Sequence, residues 1–347
     1  MSGGVDSSVA AGLLLEQGHD VVGATLKLWG GVSDSGCCSV ADVDDARRVA
    51  QILGVDHHVF NYSEEFERHV VTPFVEEHAL GHSPNPCIEC NRHIKFDLLF
   101  ERALRLGFDA VATGHHARVV NSDGEHRLVR GVDALKDQSY VLGYLEEHQL
   151  AMLLLPIGVM TKSDVRSHAE RMGLRTWDKP DSQDVCFIER SKGREVFLRQ
   201  RIALTPATIV DRVSGEVVGM TSAAELMTVG QRRGVLPGRD GERRYVATVD
   251  VTRRRVEIGR LEDILVTTML LDEISLTFAH DDPGDGTVVL AQWSAHGVSQ
   301  PATLRHDTRW WLELHQPVRP VAVGQSVVMY RLDDPDVVVG AALVRAA

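Results

Sequence analysis

The sequence predicts an α/β fold: a doubly wound parallel sheet, then a small mixed β-rich central domain and a C-terminal β-barrel. Three observations lead there. Up to about residue 190, apolar runs of helical period alternate with short apolar extended runs, the pattern of strand–helix–strand units. Past about Ser191 helical periodicity fades, and short β-like runs appear between Gly and Pro. From about Leu265 onward only strand-like pieces remain, with spacings that suit a barrel. The same shifts divide the chain into expected domains at 1–190, 191–263 and 264–347.

The elements follow in order. Ser7 to Gln17 is apolar at helical spacing, and Gly18 stands where a helix closes. Asp20–Leu28 reads as a buried strand. Ser39–Leu53 reads as an amphipathic helix closed by Gly54, with His57–Asn61 as the next strand. A helix is predicted from about Glu64 to Leu80. The Pro84-Asn85-Pro86 run breaks the chain before a helix from about Cys90 to Leu106, closed by Gly107. Asp109–Thr113 predicts a strand ending in Gly114-His115-His116. Beyond it, ATIVD, VSGEVVG, RYVATVDV and RRVEIG predict a small sheet, and TVVLAQW, WWLEL and QSVVMYR predict barrel strands.

Composition narrows the function. With 44% hydrophobic and 25% charged residues the chain has the make-up of a globular protein. No stretch approaches ~18 consecutive apolar residues, and no basic-then-apolar leader is present, so a cytoplasmic protein with no membrane partner is expected. Five cysteines, Cys37, Cys38, Cys87, Cys90 and Cys186, make a poor disulfide framework and read as reactive thiols or metal ligands. The adjacent pair Cys37-Cys38, in a probable loop, reads as incidental, because vicinal disulfide geometry is strained. The net charge of −12 is uneven: Arg190–Arg260 holds 15 Lys+Arg against 8 Asp+Glu, and fourteen of those cations are Arg. A basic middle segment on an acidic body is compatible with RNA binding there.

The strongest signal is the opening Ser2-Gly3-Gly4-Val5-Asp6-Ser7-Ser8. Gly3 and Gly4 let a backbone approach an anion closely, the three serines add hydroxyls, and the following helix offers its positive end. No Walker-type phosphate loop is present. SGGVDSS resembles the PP-loop of ATP pyrophosphatases, which cleave ATP between the α- and β-phosphates. Within that superfamily the deciding stretches are NPCIECNRHIKF from Asn85 and KPDSQDVCFI from Lys179, with ATGHHAR, KDQSYVL and TVGQRRGV. Together they resemble the tRNA-specific 2-thiouridylase family, over almost the whole chain and in the same order.

That resemblance implies a PP-loop, HUP-like catalytic domain. It implies ATP, with magnesium, at Ser2, Gly3, Gly4, Val5, Asp6, Ser7, Ser8, Leu26 and Gly114. Cys186 would carry an activated persulfide received from a cysteine desulfurase or a sulfur-relay protein. Cys90 would assist sulfur release and close a transient disulfide with Cys186, and a position near a helix N-terminus would lower its pKa. Asn85, Pro86 and Cys87 would surround a flipped-out wobble uridine of tRNAs for Lys, Glu and Gln. His115, Lys136, Asp137, Gln138 and Gln325 would contact tRNA.

Three departures from the family pattern are visible. Cys87 stands where the commoner form has Asp, a proposed proton shuttle. Cys87, Cys90 and Cys186 together form a three-thiolate set of the kind that related thiolases use for a four-iron, four-sulfur cluster, which is retained as the less favoured alternative to no resident metal. A zinc site on Cys87 and Cys90 fits less well, because Cys186 then has no carrier role. In the barrel, Trp293–His296 replaces a basic-aromatic tRNA contact. Finally, the loop follows Met1 with no strand ahead of it, although in this fold that strand lies mid-sheet. Its loss would exceed the ~5–15 kcal/mol stability of a domain, so the expectation is that Met1 is internal to a longer product or that the start is misassigned. The alternatives to a thiouridylase are an AMP-forming PP-loop amide ligase and a catalytically inactive tRNA-binding homologue.

Overall fold

A computed structural model describes residues 1–29, 39–122, 124–181, 185–189, 191–235, 237–238, 241–277 and 283–346. Cys37 and Cys38 lie outside the described residues. The chain divides into two compact units.

The first unit comprises Met1–Val71, Pro86–Ser191 and Asp336–Val338. It opens with α1 (Val5–Glu16), β1 (Gly23–Lys27), α2 (Val40–Leu53) and β2 (His57–Asn61). At the end of α1 the Gly18 N–H donates to the Leu15 carbonyl and the His19 N–H to the Leu14 carbonyl, the paired closure expected of a glycine just past a helix. The Ser39 hydroxyl caps α2 by accepting from the Asp42 N–H, Asp42 returns the bond, and Gly54 closes the far end. β1 and β2 pair in parallel, Gly23 opposite His57 and Lys27 opposite Asn61, which makes α2 their crossover. Val5, Val9 and Ala10 of α1 pack with Val49, Ile157, Val165, Ala169 and Leu174 as one core cluster.

The predicted helix from about residue 64 begins as α3 (Ser63–Phe66), passes through a π-helical turn at Glu67–Val71 and continues as α4 (Thr72–Ala79), which falls in the second unit. The helix expected from Cys90 starts earlier, at α5 (Pro86–Glu89). A proline fits a first helical position because its missing N–H would be unpaired there in any case. α5 leads through a π-helical stretch, Cys90–Leu98, into α6 (Leu99–Arg105). The strand expected at Asp109–Thr113 is shorter, β3 (Val111–Ala112). A hairpin not anticipated from the sequence follows, β4 (Ala117–Ser122) against β5 (Glu125–Arg130). Next come α7 (Glu147–Leu150), β6 (Leu153–Leu154), parallel to β3, and α8 (Lys162–Arg171).

The second unit comprises Thr72–Asn85, Lys192–Pro335 and Val339–Ala347. It contains a helix missed by the sequence reading, α9 (Gly193–Arg199), whose Phe197 meets Phe74 of α4 edge to face at 6.2 Å. The four β-like runs become β7 (Ala207–Asp211), β8 (Val217–Thr221), β9 (Tyr245–Asp250) and β10 (Arg255–Gly259). They form one mixed sheet in the order β8-β7-β10-β9, with β7 and β10 parallel. After α10 (Leu261–Ile264), six strands close a barrel: β11 (Val266–Leu276), β12 (Val288–Gln292), β13 (Gln300–His306), β14 (Trp310–Val318), β15 (Ser326–Arg331) and β16 (Val338–Val344). Closure pairs β11 with both β14 and β16, which removes the sheet edges. Leu304, Leu312, Val327, Met329 and Ala342 fill its interior.

Among the described residues no helix is long and apolar enough to cross a membrane. The barrel core gives a direct test of this packing. Leu312 is fully buried, so Leu312→Ala should cost about 2–5 kcal/mol, seen as a lower urea midpoint by far-ultraviolet circular dichroism.

Candidate active site

The site grows from the turn Ser2–Gly4 and the start of α1. Gly3 adopts φ +71°, and a Cβ there would stand 2.4 Å from the Asp42 carbonyl oxygen, so this position requires glycine. Gly4 is the N-cap of α1 and makes no side-chain cap bond. The N–H groups of the first turn therefore keep the anion-attracting character of an uncapped helix end. Gly114, just beyond β3, closes over them: a Cβ there would lie 2.5 Å from the Asp6 carbonyl carbon and the Ser7 nitrogen. The serines divide their work. Ser2 is exposed, with its N–H donating to the Ser7 hydroxyl at 3.0 Å. Ser8 is fully buried and donates to the Gly4 carbonyl at 2.7 Å, so its hydroxyl braces the turn instead of facing a ligand. Leu26 is half-buried on β1 opposite Phe60. Beside it Thr25 donates to the Met1 carbonyl at 2.6 Å, and the Met1 amino group donates to the Ala24 carbonyl.

A charge network surrounds this turn, and most of it was not legible in the sequence. Lys162, the first residue of α8, donates to both carboxylate oxygens of Asp6 at 2.7 Å and lies 2.9 Å from Asp181. His116 Nε2 stands 3.2 Å from Asp6, while its buried Nδ1 has no partner among the described residues. Burial would raise the Asp6 pKa, but the hydrogen bonds from His116 and Lys162 outweigh it and hold the carboxyl below its ordinary value. Asp181 also accepts from Lys136 at 2.7 Å and Arg166 at 3.0 Å. Burial again pulls upward, yet the bonds from Lys136 and Lys162 bring Asp181 down to about 2. Two residues earlier, Lys179 donates to the Gly3 carbonyl at 2.9 Å and to Asp42 and Asp45 at 2.8 Å. Burial disfavours that ammonium, but the two carboxylates more than compensate and raise its pKa.

The cysteines occupy different environments. Cys87 is exposed in the first turn of α5, Cys90 is buried one turn further along, and Cys186 is half-buried. Pro86 starts the helix four residues before Cys90, so Cys87 takes the place nearest its positive end and Cys90 follows in the next turn. Phe187, next to Cys186, packs on Phe66 of α3 with ring centroids 5.8 Å apart and on Trp29 at 6.1 Å. α3 also packs against the π-helical stretch that begins with Cys90, so the segments bearing both thiols reach the same short helix. Among the described residues no group of three or more His, Cys, Asp or Glu side chains could hold a metal ion. The iron–sulfur alternative on Cys87, Cys90 and Cys186 therefore gains no support.

The remaining predicted residues are placed as follows. Asn85 is half-buried and ends a segment of the second unit, and Pro86 is buried at the start of α5 in the first. His115 is buried, with Nδ1 2.8 Å from the Thr113 hydroxyl; burial, then the charges of Lys95 and His116, hold its pKa well below 6.5. It is neutral and enclosed. Asp137 is buried and accepts from Arg130, the Gly131 N–H and both the N–H and hydroxyl of Ser139. Gln138 accepts from the His116 N–H at 2.9 Å. The Lys136-Asp137-Gln138 run thus braces the loop after β3, and Lys136 points to Asp181. In the second unit the Gln325 amide donates to the Ser83 carbonyl, and His296 in the Trp293–His296 turn is exposed.

An α/β unit with parallel strand pairs β1-β2 and β3-β6, which carries a glycine-serine turn at an uncapped helix end ringed by lysines, defines a nucleotide-binding catalytic domain of the PP-loop, HUP-like class. Residues 1–190 match the family model described as a tRNA methyl transferase HUP domain, and residues 269–344 match the aminomethyltransferase β-barrel domain. Curated relatives described as tRNA-specific 2-thiouridylase MnmA include one from Salinispora tropica, 44% identical over 100% of this chain and 98% of the relative. One from Mycolicibacterium smegmatis is 44% identical over 99% and 98%, and one from Chloroflexus aurantiacus 42% identical over 95% and 94%. The chain belongs to the tRNA-specific 2-thiouridylase family.

Two outcomes are expected from this geometry. Gly114→Ala should displace the start of α1 and abolish ATP binding measured by calorimetry, with lower thermal stability. On the Cys90 segment, His93 lies 3.3 Å from both Asp97 and Glu89, and these bonds raise its pKa from 6.5 to about 9. The stability it adds is complete below pH 6.5 and is lost as pH rises through 9. His93→Gln should therefore flatten the melting temperature against pH across that window.

Proposed function

We propose that the chain converts the wobble uridine of a tRNA to 2-thiouridine, as an ATP-dependent tRNA-uridine 2-sulfurtransferase. The observation that carries this reading is the bond from Lys179 to Gly3. It ties the segment bearing Cys186 directly to the anion-binding turn, where a nucleotide and a sulfur carrier can serve one reaction.

The chemistry requires both parts. A uridine 2-carbonyl oxygen is a very poor leaving group. Transfer of AMP to that oxygen turns it into a good one and frees pyrophosphate, whose negative charge suits the uncapped α1 terminus and Lys162. The terminal sulfur of a Cys186 persulfide then attacks C2, forming the C–S bond as AMP leaves with the C–O electron pair. The Cys90 thiolate attacks the Cys186 sulfur, which breaks the S–S bond, leaves sulfur on the base and closes a Cys90–Cys186 disulfide. An external thiol reductant returns both cysteines to thiols.

Magnesium arrives as the counter-ion of the nucleotide. A cysteine desulfurase or relay protein loads Cys186, and tRNAs for Lys, Glu and Gln are the substrates. Asn85, Pro86 and Cys87 flank the base. The stretch 191–263 is a separate tRNA-binding domain, with Arg232, Arg233, Arg243, Arg253 and Arg254 all exposed, and Gln325 contributes from a terminal barrel domain at 264–347. The reaction belongs in the reducing cytoplasm, where thiols and tRNA coexist.

Cys186→Ser and Cys90→Ser should each lower 2-thiouridine formation by about three orders of magnitude or more, measured by mass spectrometry of tRNA nucleosides after incubation with ATP and a desulfurase. Pyrophosphate release on adding tRNA should persist in Cys186→Ser, since adenylation needs no thiol. An amide ligase would be indifferent to both changes, and an inactive tRNA binder would release no pyrophosphate.

A further inference from the structure

Cys87 is exposed, whereas Cys90, in the same helix, is only 7% exposed. Cys186 is half-buried. A disulfide between Cys90 and Cys186 therefore has one sulfur enclosed in the first unit and the other partly covered. Thiol–disulfide exchange depends on access to the sulfur attacked, so such shelter slows reduction by a protein-sized thiol from outside. Yet each round of the proposed sulfur transfer ends on that disulfide. The relay proposed below rests on that reading of the transfer.

The helix itself supplies an exit. Pro86–Glu89 is α-helical and Cys90 follows directly, so Cys87 and Cys90 stand three residues apart on one continuous helix. Helix geometry puts their Cα atoms about 5 Å apart and their side chains about 60° apart around the axis. That separation falls inside the ~4.4–6.8 Å span of a disulfide. Two cysteines with two residues between them are also the dithiol pattern of disulfide oxidoreductases. The sulfur transfer consumes only Cys90 and Cys186, which leaves the exposed member of this pair without a chemical task.

We propose that Cys87 is a relay thiol, which resolves the Cys90–Cys186 disulfide and passes the oxidation to an external dithiol protein. The Cys87 thiolate attacks the Cys90 sulfur. The Cys87–Cys90 bond forms, the Cys90–Cys186 bond breaks, and Cys186 leaves with the electron pair and takes up a proton. Cys186 is then ready to be loaded again. A dithiol protein of the thioredoxin type attacks the exposed Cys87 sulfur, forming a mixed disulfide and releasing Cys90 as a thiolate. Its second thiolate attacks its own sulfur in that bond and releases Cys87. Two electrons and two protons pass to the chain, and the reductant departs as a disulfide.

The test loads the full chain with sulfur from a desulfurase, removes the excess, and adds tRNA and ATP without reductant. The chain is quenched with N-ethylmaleimide and its disulfides are mapped by peptide mass spectrometry. The wild-type chain should carry a Cys87–Cys90 disulfide and an alkylated Cys186, a result that needs no variant. Cys87→Ser should instead hold the Cys90–Cys186 disulfide, and so should Cys87→Asp, which places the commoner residue there. Reduction of the oxidised chains by thioredoxin, followed as NADPH consumed by its reductase, should be at least about tenfold slower in both variants, because exchange depends on access to the attacked sulfur. A wild-type chain that keeps the Cys90–Cys186 disulfide and is reduced no faster than the variants overturns the relay and spares the sulfur transfer. A wild-type chain that makes no 2-thiouridine, or variants that make it with no Cys90–Cys186 disulfide, overturn the transfer as written and the relay with it.

Discussion

Lys162 occupies a position that helix electrostatics disfavours. As the first residue of α8 its ammonium faces the positive end of a helix dipole, where an acidic side chain is preferred. It is also largely enclosed, with 12% of its side chain exposed. Such a cation persists only when carboxylates meet it, and Asp6 and Asp181 both do. The two carboxylates come from residues 175 positions apart, so one ion-pair junction fixes the start of α1, the start of α8 and the segment before Cys186 relative to one another. The first unit's core, with Val5 and Val9 of α1 packed on Val165 and Ala169 of α8, is what brings that junction together.

The same junction explains why the turn can be both rigid and receptive. Gly3 and Gly114 approach neighbouring backbone so closely that neither position tolerates a Cβ. The Ser8 hydroxyl is spent on holding Gly4. What stays available is the uncapped end of α1, with Lys162 and Lys179 held beside it by carboxylates. A site built this way needs little reorganisation when an anion arrives, which is the condition for strong electrostatic stabilisation.

Much of this was readable in advance, and the unreadable part has a common cause. Local rules located α1 and α2, because Gly18, Ser39 and Gly54 act on atoms within a few residues. The parallel pairing of β1 and β2 followed from the helix between them. Pairings between distant residues left no such trace. Nothing near Lys162 announces Asp6, 156 residues away, and nothing in the KPDSQDVCFI stretch announces Asp42 and Asp45 as the partners of Lys179. The capping pair Thr161 and Asp164 could have located the start of α8, but not the target of its lysine. The Lys136-Asp137-Gln138 run shows the converse. It carried the look of a surface contact, whereas Asp137 is buried and accepts four hydrogen bonds from its own loop and strand. Family resemblance supplied which residues matter, while burial and bonding show how each is held.

Ion pairs, and not apolar packing, hold the first part of the stretch that leads to Cys186. Burying an aliphatic side chain against the turn would fix the segment just as well, but that contact is indifferent to a passing phosphate. An ion pair is not indifferent, because the same lysine that holds a carboxylate will hold a phosphate more strongly. Further along, the mode of attachment changes: Phe187 lies against Phe66 and Trp29, an apolar contact that nucleotide charge does not touch. Cys186 therefore lies between a stretch held by ion pairs and a neighbour held by apolar packing.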